Sequence, residues 1–183
     1  SSILYSNPNK PTGMCLSEEK LAIIGELSSE YDVIVIEDLA YFGMDFRKDY
    51  SHPGVAPFQP TVAHYTDNYI LLISSSKIFS YAGQRIGLMA ISDALFNRSY
   101  PDLLRYYSSD KFGHSVIFGA LYGISAGVAH SVQYGLAGLL KGVKRPFPDR
   151  MLVVQYGQIL KKWDSCTIWG RYRLVNGEEL YDI

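Results

Sequence analysis

The stretch YILLISSSKIFSYAGQRIGLMAIS, residues 69–92, contains two apolar runs separated by a polar loop. The first run is rich in Ile and Leu, which is typical of a strand that is covered on both faces. Lys77 follows directly where that strand should end, among serines, and Arg85 lies eight residues further on. A lysine beside a buried strand end, near a second cation, is an unusual placement that points to a functional loop.

The same organisation recurs upstream. SILYS (residues 2–6) and VIVIE (residues 33–37) predict strands, and residues 16–31 between them predict a helix that Ser17 can cap. The helical spacing of four apolar side chains indicates its core face: Leu21, Ile24, Leu27 and Tyr31. This order of strands and helices predicts an α/β fold with a mostly parallel sheet and flanking helices.

Two units are expected along the chain. Residues 1–145 form the first unit, and residues 146–183 form the beginning of a smaller α+β unit. The boundary between them lies within the linker VKRPFPDR (residues 143–150). Asn176-Gly177 predicts the turn of a hairpin in the second unit. Residues 115–140 carry glycines at four-residue spacing, and too many polar residues interrupt them for a membrane span. They predict a buried helix whose glycine face packs tightly on a neighbour.

Composition excludes several classes of partner. Of the 183 residues, 19% are charged, with a net charge of −1, which argues against nucleic acid and anionic membranes. The two cysteines and four histidines show no ligand spacing, so we expect no metal site and no disulfide framework. No signal sequence is evident, and the cytoplasm is the expected compartment.

Asp38 directly follows an apolar strand, so its carboxylate needs a cation if it is to stay charged. Lys77, Arg85 or a protonated ring nitrogen of a ligand could provide it. Tyr41, three residues on, could offer a phenolic hydroxyl to the same ligand.

Lys77 has the opposite requirement. Burial and a neighbouring cation favour the neutral amine, which attacks carbonyls and forms Schiff bases. The planar guanidinium of Arg85 suits a phosphate, and Ser74 could add a hydroxyl to it.

Four motifs occur in a set order: NPNKPTG (7–13), EDLAYFGM (37–44), SSSK (74–77) and SYAGQRIGL (80–88). Together they resemble the signatures of fold type I pyridoxal-phosphate-dependent aminotransferases, the aspartate aminotransferase superfamily. The resemblance implies pyridoxal 5′-phosphate as cofactor. It also implies a homodimer that transfers an amino group between an amino acid, by overall likeness aspartate-like, and a 2-oxo acid.

The resemblance also implies a role for each matching residue. Lys77 would form the Schiff base and move the proton, as the catalytic residue. Asp38 would pair with the pyridinium nitrogen, and Tyr41 would bond the phenolic oxygen of the cofactor. Ser74 and Arg85 would hold the phosphate.

Two departures from the family pattern stand out. Lys10 occupies the position where the family has an asparagine that bonds the phenolic oxygen. The chain is also about half the length of family members, and resembles the second half of the large domain plus the start of the small one.

Two other functions remain open from the sequence, and a third is disfavoured by missing motifs. Decarboxylases and lyases of the superfamily share the same lysine and aspartate. An inert or ligand-sensing domain would bind the cofactor without turnover. Ser-x-x-Lys also marks serine β-lactamases, but their Ser-Asp-Asn and Lys-Thr-Gly elements are missing here.

Overall fold

The computed structural model describes residues 1–45, 47–50, 56–125 and 129–142, together with two short strands near the C-terminus. The strands of the main sheet are β1 (Ser2–Ser6), β2 (Ile34–Asp38), β3 (Tyr69–Ser74) and β4 (Gly87–Ile91). The helices are α1 (Glu18–Glu30), α2 (Ser75–Ile78), α3 (Asp93–Phe96), α4 (Phe112–Ser115), a π-helical segment (Val116–Tyr122), α5 (Gly123–Ser125) and α6 (His130–Gly142). The described residues also contain three short 3₁₀ turns: Val62–His64, Ala82–Gln84 and Pro101–Arg105.

The four strands form one mixed sheet in the order β1-β2-β3-β4. The pairs β1–β2 and β2–β3 are parallel, and β3–β4 is antiparallel. The predicted α/β fold with a mostly parallel sheet is therefore confirmed. Because the first three strands run in the same direction, their carboxyl ends meet at one edge, where ligands of such sheets bind.

The core lies between α1 and the sheet, and is built from Leu21, Val35, Leu39, Val62 and Leu71. These side chains are at most 9% exposed, and β2 contributes Val35 to them.

The predicted core face of α1 is only partly right. Leu21 is buried, but Leu27 and Tyr31 are 48% and 67% exposed. The buried face runs instead through Leu21, Gly25 and Ser28. A Cβ on Gly25 would overlap the Tyr65 Cβ, so the missing side chain lets the helix approach this neighbour, and the helix turns Leu27 and Tyr31 outward.

The helix predicted over residues 115–140 is interrupted. It consists of α4, the π-helical segment, α5 and α6. The prediction that it is buried is wrong for the described side chains of residues 116–124, since Phe118 and Ile124 are 50% and 84% exposed. Gly119 does pack closely, because a Cβ there would overlap the Tyr107 hydroxyl. Within the described ranges, no helix is long and apolar enough to cross a membrane.

The predicted linker and most of the second unit, including the Asn176-Gly177 turn, lie outside the described residues. Two segments there are described: β5 (Tyr172–Arg173) and β6 (Glu179–Leu180) pair in antiparallel fashion, as the predicted hairpin requires. The division into units at residues 145 and 146 remains a prediction.

Candidate active site

Asp38 lies at the carboxyl end of β2, where three contacts fix it. Its side-chain Oδ1 accepts a hydrogen bond of 2.9 Å from the Ala40 backbone N–H. Its backbone carbonyl accepts one of 3.0 Å from the Asn7 N–H, and the next N–H, of Leu39, donates to the Leu72 carbonyl at 2.8 Å. The carboxylate is therefore anchored by one oxygen, and the loops after β1 and β2 are joined at this point.

Lys77 lies near this edge of the sheet because α2 begins directly where β3 ends. Ser74 caps this helix, with its Oγ accepting from the Ser76 N–H at 3.2 Å. The Ser75 hydroxyl is buried and donates to the Ile86 carbonyl, which ties the helix to the start of β4. Lys77 is half-buried, and its Nζ lies 5.9 Å from the centroid of the Tyr41 ring. Lysine and tyrosine from two separate motifs are thus brought together.

Arg85 ends the loop that follows Lys77. Its backbone is left-handed, with φ of 54°, and its Nη1 donates to the Ala82 carbonyl at 3.0 Å. Its side chain is exposed. The guanidinium keeps further N–H donors for a ligand, since arginine has five.

A pocket of about 510 Å³ adjoins this sheet edge. It is lined by three of the five predicted residues: Asp38, Ser74 and Arg85. The other two, Lys77 and Tyr41, are not among its lining residues and instead contact each other, as described above. The remaining walls are mostly apolar and come from β3, β4 and the π-helical segment, for example Leu72, Met89 and Leu121.

The polar groups of the pocket suit a phosphorylated pyridine. Ser74 uses its oxygen as an acceptor and keeps its hydroxyl hydrogen for donation, as Arg85 keeps its remaining N–H groups. Among the described residues, no ion pair joins Asp38 to Lys77 or to Arg85. The Asp38 carboxylate can therefore accept a hydrogen bond from a ring N–H of a ligand. No group of three potential metal ligands forms within those residues either.

The loop after β1 places Lys10 on the surface. The neighbouring Asn9 serves the loop itself, because its Nδ2 donates to Ser6 Oγ at 3.0 Å and its Oδ1 accepts from Thr12 Oγ1 at 2.8 Å. Asn9 therefore does not replace the asparagine that the family has at the position of Lys10.

Sequence reasoning did not identify two residues beneath the site. Glu37 and Asn7 are buried, with 0% and 2% exposure, and they bond each other through Asn7 Nδ2 and Glu37 Oε1 at 3.0 Å. A signal was present in the sequence, because Glu37 ends a run of apolar strand residues and a carboxylate is seldom buried without dedicated partners.

Comparison with known proteins places the chain. The profile of the family "Aminotransferase class I and II" matches residues 1–123. A probable aspartate aminotransferase of Methanocaldococcus jannaschii is 29% identical over 93 residues, which are 51% of this chain and 22% of that protein. A histidinol-phosphate aminotransferase of Macrococcus caseolyticus is 38% identical over 102 residues, covering 54% of this chain and 27% of that protein.

The fold is also found in solved structures. An aromatic aminotransferase from Pyrococcus horikoshii aligns with 89% of this chain and 35% of its own, with a TM-score of 0.54 and 19% identity. The matching region thus spans well under half of these relatives. The family match covers more than half of this chain, which belongs to the class I and II aminotransferases.

Proposed function

We propose that this chain is the cofactor-binding part of a pyridoxal-phosphate-dependent aminotransferase. The observation that supports this most strongly is that Asp38, Ser74 and Arg85, from three separate motifs, line one pocket at the carboxyl edge of the sheet. Members of the family are generally dependent on pyridoxal phosphate, and the polar groups of this pocket match the charged parts of that cofactor.

Each residue has a distinct task in the proposal. Arg85 and Ser74 would bind the phosphate with charge-assisted and hydroxyl hydrogen bonds. Asp38 would accept the hydrogen of the pyridinium nitrogen and keep that nitrogen protonated. Lys77 would hold the cofactor through Nζ, and Tyr41, next to it, would bond the phenolic oxygen.

Pyridoxal phosphate bound in this way supplies an electron sink for the charge left when an amino acid loses its α-proton. Lys77 Nζ would take up that proton and return it, as a general base and acid. We propose an amino acid and a 2-oxo acid as substrates. An aspartate-like donor is favoured because two of the three relatives above are named for aspartate and for histidinol phosphate, both of which carry an additional anionic group.

We also propose a homodimer, as is typical of the family, and a cytoplasmic location. A decarboxylase, a lyase or a cofactor-binding domain without turnover would use the same pocket, and the products formed from aspartate distinguish these reactions.

The test is to mix the purified chain with pyridoxal phosphate. We expect a visible absorbance band that borohydride abolishes, and a reduced cofactor attached to the Lys77 peptide in mass spectrometry. Lys77→Ala should lack both, whereas Lys48→Ala, which removes an exposed lysine elsewhere, should retain them. Equal behaviour of wild type and Lys77→Ala would refute the proposal.

A further inference from the structure

Glu37 is a fully buried carboxylate directly before Asp38 in β2. Its two oxygens have separate partners: Oε1 accepts from Asn7 Nδ2 at 3.0 Å, and Oε2 accepts from the Val62 backbone N–H at 2.9 Å. Such bonds to a charged group are strong, and a buried carboxylate that loses one of them keeps an expensive unsatisfied oxygen.

Asn7 connects Glu37 to Asp38. Its side chain bonds the Glu37 carboxylate, while its backbone N–H bonds the Asp38 carbonyl at 3.0 Å. Its Oδ1 also accepts from the Leu16 N–H at 3.0 Å, which closes the loop after β1 onto the same point. One asparagine thus fixes two successive residues of β2 and both ends of the 7–16 loop.

A third loop joins this cluster from the other side. Gln59 Nε2 donates to the Asn7 carbonyl at 3.3 Å, and Gln59 Oε1 accepts from the backbone N–H of Gly43, in the loop after β2. Val62, bonded to Glu37, follows shortly afterwards. The segments before β3, after β1 and after β2 therefore meet around a single carboxylate.

We propose that Glu37 is a positioning residue of the cofactor site, which acts through Asn7 to hold Asp38 where it meets the pyridine nitrogen. This inference rests on the proposed function for the identity of the ligand. The part that concerns Asp38 itself does not depend on it, because the Ala40 N–H that bonds Asp38 Oδ1 reports the position of the carboxylate without any ligand.

Glu37→Gln tests the proposal with minimal change of shape. Glutamine offers one acceptor and one donor group, so it cannot accept from both Asn7 and Val62. In the cofactor-free chain, we expect faster amide hydrogen exchange at Ala40 and Asn7. With cofactor, we expect pyridoxal phosphate to bind about tenfold more weakly, the effect of about one lost hydrogen bond to a charged group.

The double variant Asn7→Asp/Glu37→Gln is the decisive rescue. The glutamine introduced at position 37 can then donate to the new carboxylate and accept from Val62. That carboxylate can accept from Leu16, so all three bonds re-form with the charge moved to position 7. We expect exchange at Ala40 and cofactor affinity to return to within about threefold of wild type. If the double variant shows the same exchange at Ala40 and the same cofactor affinity as Glu37→Gln, the proposal is overturned. If Glu37→Gln fails to fold, a double variant that also fails to fold overturns it.

Val35→Ala controls for simple loss of stability. Val35 is also 0% exposed and lies on the same face of β2, two residues before Glu37. Under conditions where it is folded, this variant should bind the cofactor as the wild type does. The Ala40 amide should also stay as protected from hydrogen exchange, relative to the other amides of the chain, as in the wild type. Equal losses in Val35→Ala and Glu37→Gln would overturn the proposal. Failure of the wild type to bind pyridoxal phosphate would refute the proposed function, and hydrogen exchange would still decide the role of Glu37.

Discussion

The ammonium nitrogen of Lys77 lies 5.9 Å from the centre of the Tyr41 ring, within the range of a cation–π interaction. The two residues are 36 positions apart in the chain: Tyr41 lies in the loop after β2, and Lys77 lies in α2, directly after β3. Their meeting orients the lysine before any ligand arrives, and this leads to a first prediction.

A double-mutant cycle should detect this contact in the cofactor-free chain. We expect Tyr41→Leu and Lys77→Met to show a coupling free energy of about 0.5–1 kcal/mol, which is typical of a partly exposed cation–π pair. Urea unfolding of the wild type, both single variants and the double variant measures it. Coupling of zero would show that the contact contributes nothing to the folded state.

Arg85 should contribute to binding of the cofactor phosphate and little to the rest of the structure. The one described hydrogen bond of its side chain is to the carbonyl of Ala82, within its own loop. We expect Arg85→Gln to weaken pyridoxal phosphate binding by about tenfold or more, because a charge-assisted bond is lost. Binding of pyridoxal, which lacks the phosphate, should change much less.

The control for Arg85 is Arg105→Gln, which removes another exposed arginine from a 3₁₀ turn. It should leave the affinity unchanged. If both variants weaken binding equally, general charge attraction explains the effect, and a specific phosphate contact does not.

Ser80 is a position where glycine should be better than the natural residue. Its φ is 50°, in the left-handed region that costs residues with a Cβ about 1–2 kcal/mol. Its hydroxyl is also buried without a hydrogen-bond partner among the described residues. We expect Ser80→Gly to stabilise the chain by about 1 kcal/mol after the entropy cost of glycine, as measured by urea unfolding.

Ser80→Ala separates the two causes. It removes the unpaired hydroxyl and retains the unfavourable backbone, so it should gain less than glycine. If alanine stabilises as much as glycine, backbone strain is not the cause.

Two glycines on helices should respond in opposite ways to alanine. A Cβ on Gly25 would overlap the Tyr65 Cβ, so we expect Gly25→Ala to destabilise the chain by about 1–3 kcal/mol through overpacking. Gly138 in α6 has nothing within 4 Å of such a Cβ, and Gly138→Ala should stabilise by up to about 1 kcal/mol. Thermal unfolding measures both effects. The result for Gly25→Ala tests the assignment of the buried face of α1, and Gly138→Ala is the control on an open helix position.

The pH dependence of stability should reveal Glu37. Burial raises the pKa of this carboxyl, and the hydrogen bonds from Asn7 and Val62 offset part of that effect. The folded state therefore binds the proton more tightly than the unfolded state, whose pKa is near the ordinary 4.5. The contribution of Glu37 to stability should fall as pH rises above about 4.5, until the folded-state pKa is passed.

Comparison with Glu37→Gln isolates this effect from that of other carboxyls, such as Asp45, whose pKa is lowered by its hydrogen bond with Arg47. The free energy of unfolding of the wild type minus that of the variant should decrease over this pH range. A constant difference would show that Glu37 titrates normally in the folded chain.

The fold could be predicted largely from the sequence, because apolar β-branched runs and polar loops have local signatures. The placement of Asp38 at the end of β2 and of Lys77 just after β3 could be predicted for the same reason, since each comes at or just after the end of such a run. The buried face of α1 could not, because a glycine contact with Tyr65 depends on how two elements approach, which spacing does not encode.

The exposed apolar side chains of the π-helical segment were also misassigned. Hydrophobicity predicts burial only when another element covers the residue, and Phe118 is half-exposed among the described residues. The position of Glu37 at the end of an apolar strand was a signal, but its pairing with Asn7 could not be predicted, because a hydrogen bond across 30 positions leaves no mark on the local sequence pattern.

The direct join between β3 and α2, with no connecting residue, limits how the reactive amine can travel. The sheet and the capped first turn immobilise the main chain at Lys77, so its reach must come from rotation about the four methylene groups of its own side chain. Such rotations take picoseconds to nanoseconds, far faster than loop closure. Rotation of the Lys77 side chain would therefore not be the slow step of the proposed reaction.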